Sequence, residues 1–227
     1  MNHFIQRYHK LLALGLLVFW NFLLIAYRVH ITGRRVFIFF LWNLFLAILP
    51  YLSSEVARYF GSKNKRFSAL VFVLFAILFL PNSPYIITDL FHLRERAEMP
   101  LWFDTMLVFS VALSGLVLFY VTLFSIRSTL QLLWGKILAE ITVLFVTFLC
   151  SFGIYLGRYL RFNSWDVMSN PNNLFDEIAN RMINPSRHTQ TIGVTLLYGA
   201  FLLTGYWVIK LFQMGIDRNV IVDRSVN

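Results

Sequence analysis

The sequence predicts an all-α, polytopic transmembrane helix bundle, and three observations carry that reading. Of the 227 residues, 58% are hydrophobic and only 14% charged, whereas soluble domains carry roughly a quarter charged residues. The apolar residues come in long blocks between short charged connectors, the pattern of spanning helices and not of amphipathic helices around a soluble core. The net charge of +9 is scattered through those connectors and forms no basic stripe interleaved with aromatics, so membrane flanking accounts for it and nucleic acid is excluded as a partner. Cys150 is the one cysteine and lies inside an apolar block, which rules out an intrachain disulfide or a cysteine metal cluster.

Six spans are expected, at about 10–27, 36–52, 67–80, 101–126, 137–157 and 191–212, in a single integral membrane domain covering 1–227. Arg7 and Lys10 precede the first block, but no small-residue cleavage site follows it, so it reads as an uncleaved span and not a secretory signal. The second block, "VFIFFLWNLFLAILPYL", is interrupted by Asn43 and Pro50. A lone polar residue in such a bundle faces a neighbouring helix where it can hydrogen-bond. The third block, Phe67 to Leu80, has 14 residues and would reach about 21 Å as a helix against a hydrocarbon core of about 30 Å. The fourth offers Ser110, Ser114 and Gly115 for close packing, and Asp104 in its first turn complements the helix dipole. In the fifth, Gly153 and Gly157 have the spacing of a close helix contact, and Glu140 sits four residues after Lys136 in position for an ion pair. Between the last two spans, "NPNNLFDEIANRMINP" reads as a short amphipathic helix bounded by Pro171 and Pro185, with Leu174, Ile178 and Met182 on its apolar face. It could lid a cavity.

Lys and Arg in the connectors favour a cytoplasmic N-terminus by a margin of two, with "GSKNKR" as the densest cluster. The expected location is the cell membrane.

The densest polar chemistry falls in "FLPNSPYIITDLFHLRER", residues 79–96. Ser83 can cap a helix beginning at Pro84, which suits a first helical position. On that helix Tyr85, Thr88, Asp89, His92, Glu95 and Arg96 share one face, and Ile86, Ile87, Leu90, Phe91 and Leu93 the other. Two placements fit equally: flat on the membrane with Asp89 in bulk water, or lining a wet cavity at a break within the membrane. In the second, free N–H groups at the helix start would favour an anion. A further cluster, "GRYLRFNSWD", residues 157–166, follows the fifth span, so both connectors emerge on one face. Arg158 and Arg161 are three residues apart and can grip a phosphate or carboxylate, while Asn163 or Ser164 can cap a turn with Asp166 near its start. Ordinary anchoring of a span end at the headgroups, or pairing with Asp89, explains the same arginines.

Asp89 and His92 are the candidate catalytic pair, and Asn82, Tyr85, Arg158, Arg161, Asn163 and Asp166 the candidate substrate-binding residues. A metal site is not assigned, because Asp89 and His92 fall short of the three protein ligands a catalytic zinc needs. No motif designates a cofactor. The expected partners are membrane lipid and an anionic small molecule or lipid-linked substrate. Three functions fit: group transfer or hydrolysis at the membrane face, a transporter or ligand-binding protein with a broken helix, and a non-catalytic accessory membrane subunit.

"FLPNSPYIITDLFHL" together with "GRYLRFNSWD" resembles the domain of unknown function 1361 family. The resemblance implies a bacterial multi-span membrane protein without an assigned activity. It points to Pro81, Asn82, Pro84, Tyr85, Asp89, His92, Arg158, Arg161, Asn163, Ser164, Trp165 and Asp166.

Overall fold

A computed structural model describes the backbone of residues 2–226 and the side chains of 9–215. The terminal arginines Arg7, Arg218 and Arg224, which enter the orientation tally, therefore lie outside the described side chains. The described residues contain helices and no strand. Six helices are long and apolar enough to cross a membrane: His9–Thr32, Phe39–Ser62, Arg66–His92, Leu101–Trp134, Lys136–Tyr159 and Thr189–Gly215. The chain divides into two compact units, Met1–Ala139 and Glu140–Asn227.

The first unit holds α1 (Asn2–Thr32), α2 (Phe39–Ser62), α3 (Arg66–Phe79), the short α4 (Asn82–Tyr85), a 3-10 run Ile86–His92, and α5 (Leu101–Trp134). Its core joins Phe40, Leu44, Ala47 and Tyr51 of α2 to Leu107, Val108, Val111 and Leu118 of α5, with Phe37 and Ile86 between connectors and helices. Outward faces carry exposed apolar side chains such as Leu16, Phe19, Phe67 and Leu74, as expected where the solvent is lipid.

The helices outrun the expected spans because nothing in their sequences stops them. α1 continues past Tyr27 to Thr32, where Gly33 adopts φ 65°, the left-handed conformation that glycine takes freely. α2 passes through Pro50 and ends at Ser62, so Ser53, Ser54, Glu55 and Arg58 belong to the helix and not to a connector. α5 runs unbroken to Trp134 and stops at Gly135, φ 88°.

After Pro81 the chain does not begin a regular helix at Pro84. It makes one turn of α4 and then tightens into 3-10 winding, which ends at His92, so Glu95 and Arg96 lie in the following loop. Ser83 does not cap: its Oγ donates to the Ala47 carbonyl at 3.0 Å, tying the break to α2. On the other side the break abuts α5 at Gly115, where a β-carbon would stand 2.3 Å from the Ser83 carbonyl oxygen.

The second unit holds α6 (Lys136–Tyr159), whose first residues precede the boundary, α7 (Asp166–Ser169), α8 (Pro171–Ile183), a 3-10 turn Pro185–Arg187 and α9 (Thr189–Val226). Glu140 does not pair with Lys136. It accepts from the Tyr206 hydroxyl at 2.8 Å and Lys210 Nζ at 2.7 Å, tying α6 to α9. In α8, Leu174 is buried but Met182 is exposed, and Arg181 lies against α6, its guanidinium 5.7 Å over the Tyr155 ring and bonded to Glu177.

Candidate functional site

Asp89 is almost wholly buried. One carboxylate oxygen accepts the Asn43 amide of α2 at 3.0 Å, and the other stands 3.7 Å from Nε2 of His92, whose side chain is half-exposed. The 3-10 run produces this arrangement, since residues three apart stack on one edge at three residues per turn. His92 also packs edge-on to Phe39 at 5.8 Å. The flat-lying placement fails here, because it would put Asp89 in water and Ile86 in lipid, whereas both are buried and only Phe91 of the expected lipid face is largely exposed.

At the break the N–H groups of Ser83 and Tyr85 are already taken and do not face an anion. The Ser83 N–H donates to Leu80 at 3.1 Å and that of Tyr85 to Pro81 at 3.0 Å. Asn82 turns its amide to the Phe79 carbonyl at 2.9 Å. Tyr85 is half-buried, with its carbonyl accepting the Thr88 hydroxyl at 2.7 Å.

Beyond His92 lies a group that sequence reasoning missed. Asp104 of α5 is buried and holds Arg28 of α1 by two bonds, from Nε at 2.6 Å and Nη2 at 3.0 Å. Arg96 adds a third at 3.2 Å and also donates to the His92 carbonyl at 3.2 Å. Both guanidinium groups lie over the Phe37 ring, at 4.5 and 4.9 Å. Asp104 stands in the first turn of α5 as expected, and beyond complementing the helix dipole it closes a two-arginine clamp, while Arg28 is a helix residue of the bundle and not a connector residue. The available signal was an aspartate early in a span, but its partner lies 76 residues away. An open depression of about 370 Å³ adjoins this group, lined by Arg34, Val36, Arg94, Glu95, Arg96 and Glu98, and not by Tyr85, Asp89 or His92.

A second missed residue is Glu55, buried in α2, which pairs with Arg58 at 2.6 Å and accepts from Ser125 of α5 at 3.1 Å. The hydropathy falls at Ser53–Ser54, which placed it outside the expected span.

In the second unit, Arg158 occupies the last turn of α6, where a cation complements the helix dipole. Arg161 follows in the left-handed conformation, φ 61°, and the Phe162 N–H returns to the Leu156 carbonyl at 3.1 Å. A non-glycine residue there is strained, and such strain concentrates at functional positions. Asp166 closes the next turn: its carboxylate accepts the Asn163 backbone N–H at 2.6 Å and the Ser169 hydroxyl at 2.8 Å. The first of these bonds, then the second, holds its carboxyl below the usual range. Asn163 thus contributes its backbone to the turn.

Among the described residues no three His, Cys, Asp or Glu side chains gather to hold a metal ion.

Six apolar helices joined by short polar connectors define a multi-pass membrane protein. The model of the family described as protein of unknown function (DUF1361) matches residues 42–204, and the chain belongs to that family. No curated protein and no solved structure matches the chain.

Proposed function

We propose that the protein acts at one face of the cell membrane on an anionic or lipid-linked substrate, with His92 as the acid–base group and Asp89 as the residue that positions it. The observation that supports this reading is the Asn43–Asp89–His92 series. A buried carboxylate, fixed on one side by an amide, faces an imidazole that reaches solvent. A carboxylate so placed orients the ring, so the outward nitrogen can take or deliver a proton. The reaction class is group transfer or hydrolysis. Separately, on the second unit, Arg158 and Arg161 are a candidate site of their own for an anionic group, where the left-handed backbone at Arg161 favours a binding role over simple anchoring.

The accessory-subunit reading has one observation in its favour: at 3.7 Å the Asp89–His92 contact is longer than a hydrogen bond. The test is to purify the protein with native lipid retained, reconstitute it, and follow the lipid pool by mass spectrometry. Wild type should generate a product that His92→Gln does not, with the two proteins melting alike. Absence of any product from wild type, or an equal yield from the variant, removes the enzyme reading.

A further inference from the structure

We infer that the depression beyond His92 binds a lipid headgroup in which a phosphate is followed by an amine. The inference rests on the membrane-face reading above for its biological use, but its binding residues are different ones.

The first argument is charge. Arg34 and Glu98, from the connectors 33–38 and 93–100, bridge the rim at 2.7 Å, and Arg34 is 64% exposed, so this pair is held only loosely against water. Arg96 is committed to Asp104 and to backbone carbonyls. Arg94 and Glu95 line the same depression, and neither makes an ion pair among the described residues. One cation and one anion therefore remain for a ligand, which matches a zwitterion better than a bare anion.

The second argument is the buried group behind Arg96, which itself lines the depression. Two guanidinium groups share one carboxylate, stacked over Phe37. Arg28 Nη1 is buried without a hydrogen-bond partner among the described residues. Buried donors are almost always satisfied, and two guanidinium groups against one carboxylate leave a positive balance behind Arg96 that favours the phosphate end of a ligand over its amine. Arginine suits that role because its planar fork matches phosphate oxygens.

The third argument is depth. Val36, Phe91, Leu101 and Trp102 are exposed around the ends of these helices, Trp102 by 69%. Exposed tryptophan at span ends sits at the headgroup level, where the phosphates on offer are those of lipids. The volume of about 370 Å³ suits a headgroup and not a whole lipid.

The experiment uses the full chain in detergent with dioctanoyl phosphatidylethanolamine as probe, its binding followed by native mass spectrometry. Dioctanoyl phosphatidylglycerol, free phosphoethanolamine and inorganic phosphate form the other arms. Phosphatidylethanolamine should bind saturably and better than phosphatidylglycerol. Arg94→Gln should weaken it by about tenfold or more, the loss of a charge-assisted contact, and Glu95→Gln should erase the preference between the two lipids. His92→Gln should bind as wild type does, so failure of catalysis and failure of this site are told apart. Equal binding by wild type and Arg94→Gln, no saturable binding, or no preference between the lipids overturns the inference. So does competition by free phosphoethanolamine or inorganic phosphate at the concentrations at which the lipid binds.

Discussion

Asp104 is the side chain whose loss the first unit should feel most, because two guanidinium groups close on it and one of them is as deeply buried as the carboxylate. Asp104→Asn strands Arg28 without a counter-charge and should cost about 3–5 kcal/mol. The double variant Arg28→Met, Asp104→Leu should melt higher than Asp104→Asn, since it removes the charge as well as its partner. Thermal unfolding of the three proteins in one detergent checks this, and a double variant less stable than Asp104→Asn contradicts it. Arg161 tests a different quantity. Its left-handed backbone costs about 1–2 kcal/mol in a residue with a β-carbon, so Arg161→Gly should raise the melting temperature while Arg161→Ala should not. If Arg161 holds substrate, both variants lose turnover whatever their stability. Asp166 gives a pH signature. Its carboxyl is depressed on folding, so what it contributes is present above the unfolded value, about 3.9, and is lost as pH falls through the lower folded value. The difference in melting temperature between wild type and Asp166→Asn should hold near neutrality and shrink below about pH 4. These charged side chains were visible in the sequence as span-end residues. Their partners were not, since Arg28 and Asp104 lie on different helices and hydropathy carries no pairing information.

The break between α3 and the 3-10 run is wedged rather than merely interrupted. Ser83 reaches Ala47 on α2, and the Ser83 carbonyl and Ile86 occupy the space that a β-carbon on Gly115 of α5 would need. Gly115→Ala should therefore push backbone against backbone and cost about 1–3 kcal/mol. Gly199→Ala on α9 also meets a close neighbour, but that neighbour is the Phe148 ring, which can rotate, so its melting temperature should fall less. Comparing the two melts decides the point, and equal losses would mean that the break yields as readily as a ring. The position of the break was legible in Pro81 and Pro84, and Gly115 was legible as a packing residue. The winding after the break was not. A helical wheel at 100° per residue groups Tyr85 with Glu95 and Arg96, but at three residues per turn the run keeps Ile86, Thr88 and Asp89 inside and ends at His92. The Asn43–Asp89 contact was half legible, since Asn43 was read as facing a neighbour and only the neighbour was missing.

Six apolar blocks were enough to place six spans, because a hydrocarbon core demands length and hydropathy and little else. Their ends were misjudged where polar residues continue a helix, as at Arg28, at Glu55 and Arg58, and in the run to Trp134. Those corrections bear on orientation. Arg34 bonded to Glu98 puts the connectors 33–38 and 93–100 at one end of the first unit. α2 then carries the chain to Ser62 at the opposite end, where Gly61 packs on Thr129 of α5. That end gathers Lys63, Lys65 and Arg66 within a three-residue connector and the residue after it, together with Arg58, Arg127 and Lys136. At the Ala97 end two of the arginines, Arg28 and Arg96, are drawn into the Asp104 clamp. We propose on this ground that the cluster at Ser62 faces the cytoplasm. In a Cys150→Ala background, single cysteines at Ser62 and Ala97, both exposed positions, report the arrangement to a membrane-impermeant maleimide. On intact cells the cysteine at 97 should label at once and that at 62 only after permeabilisation. The reverse pattern would invert the protein in the membrane, and labelling of both from outside would mean that α2 does not cross it.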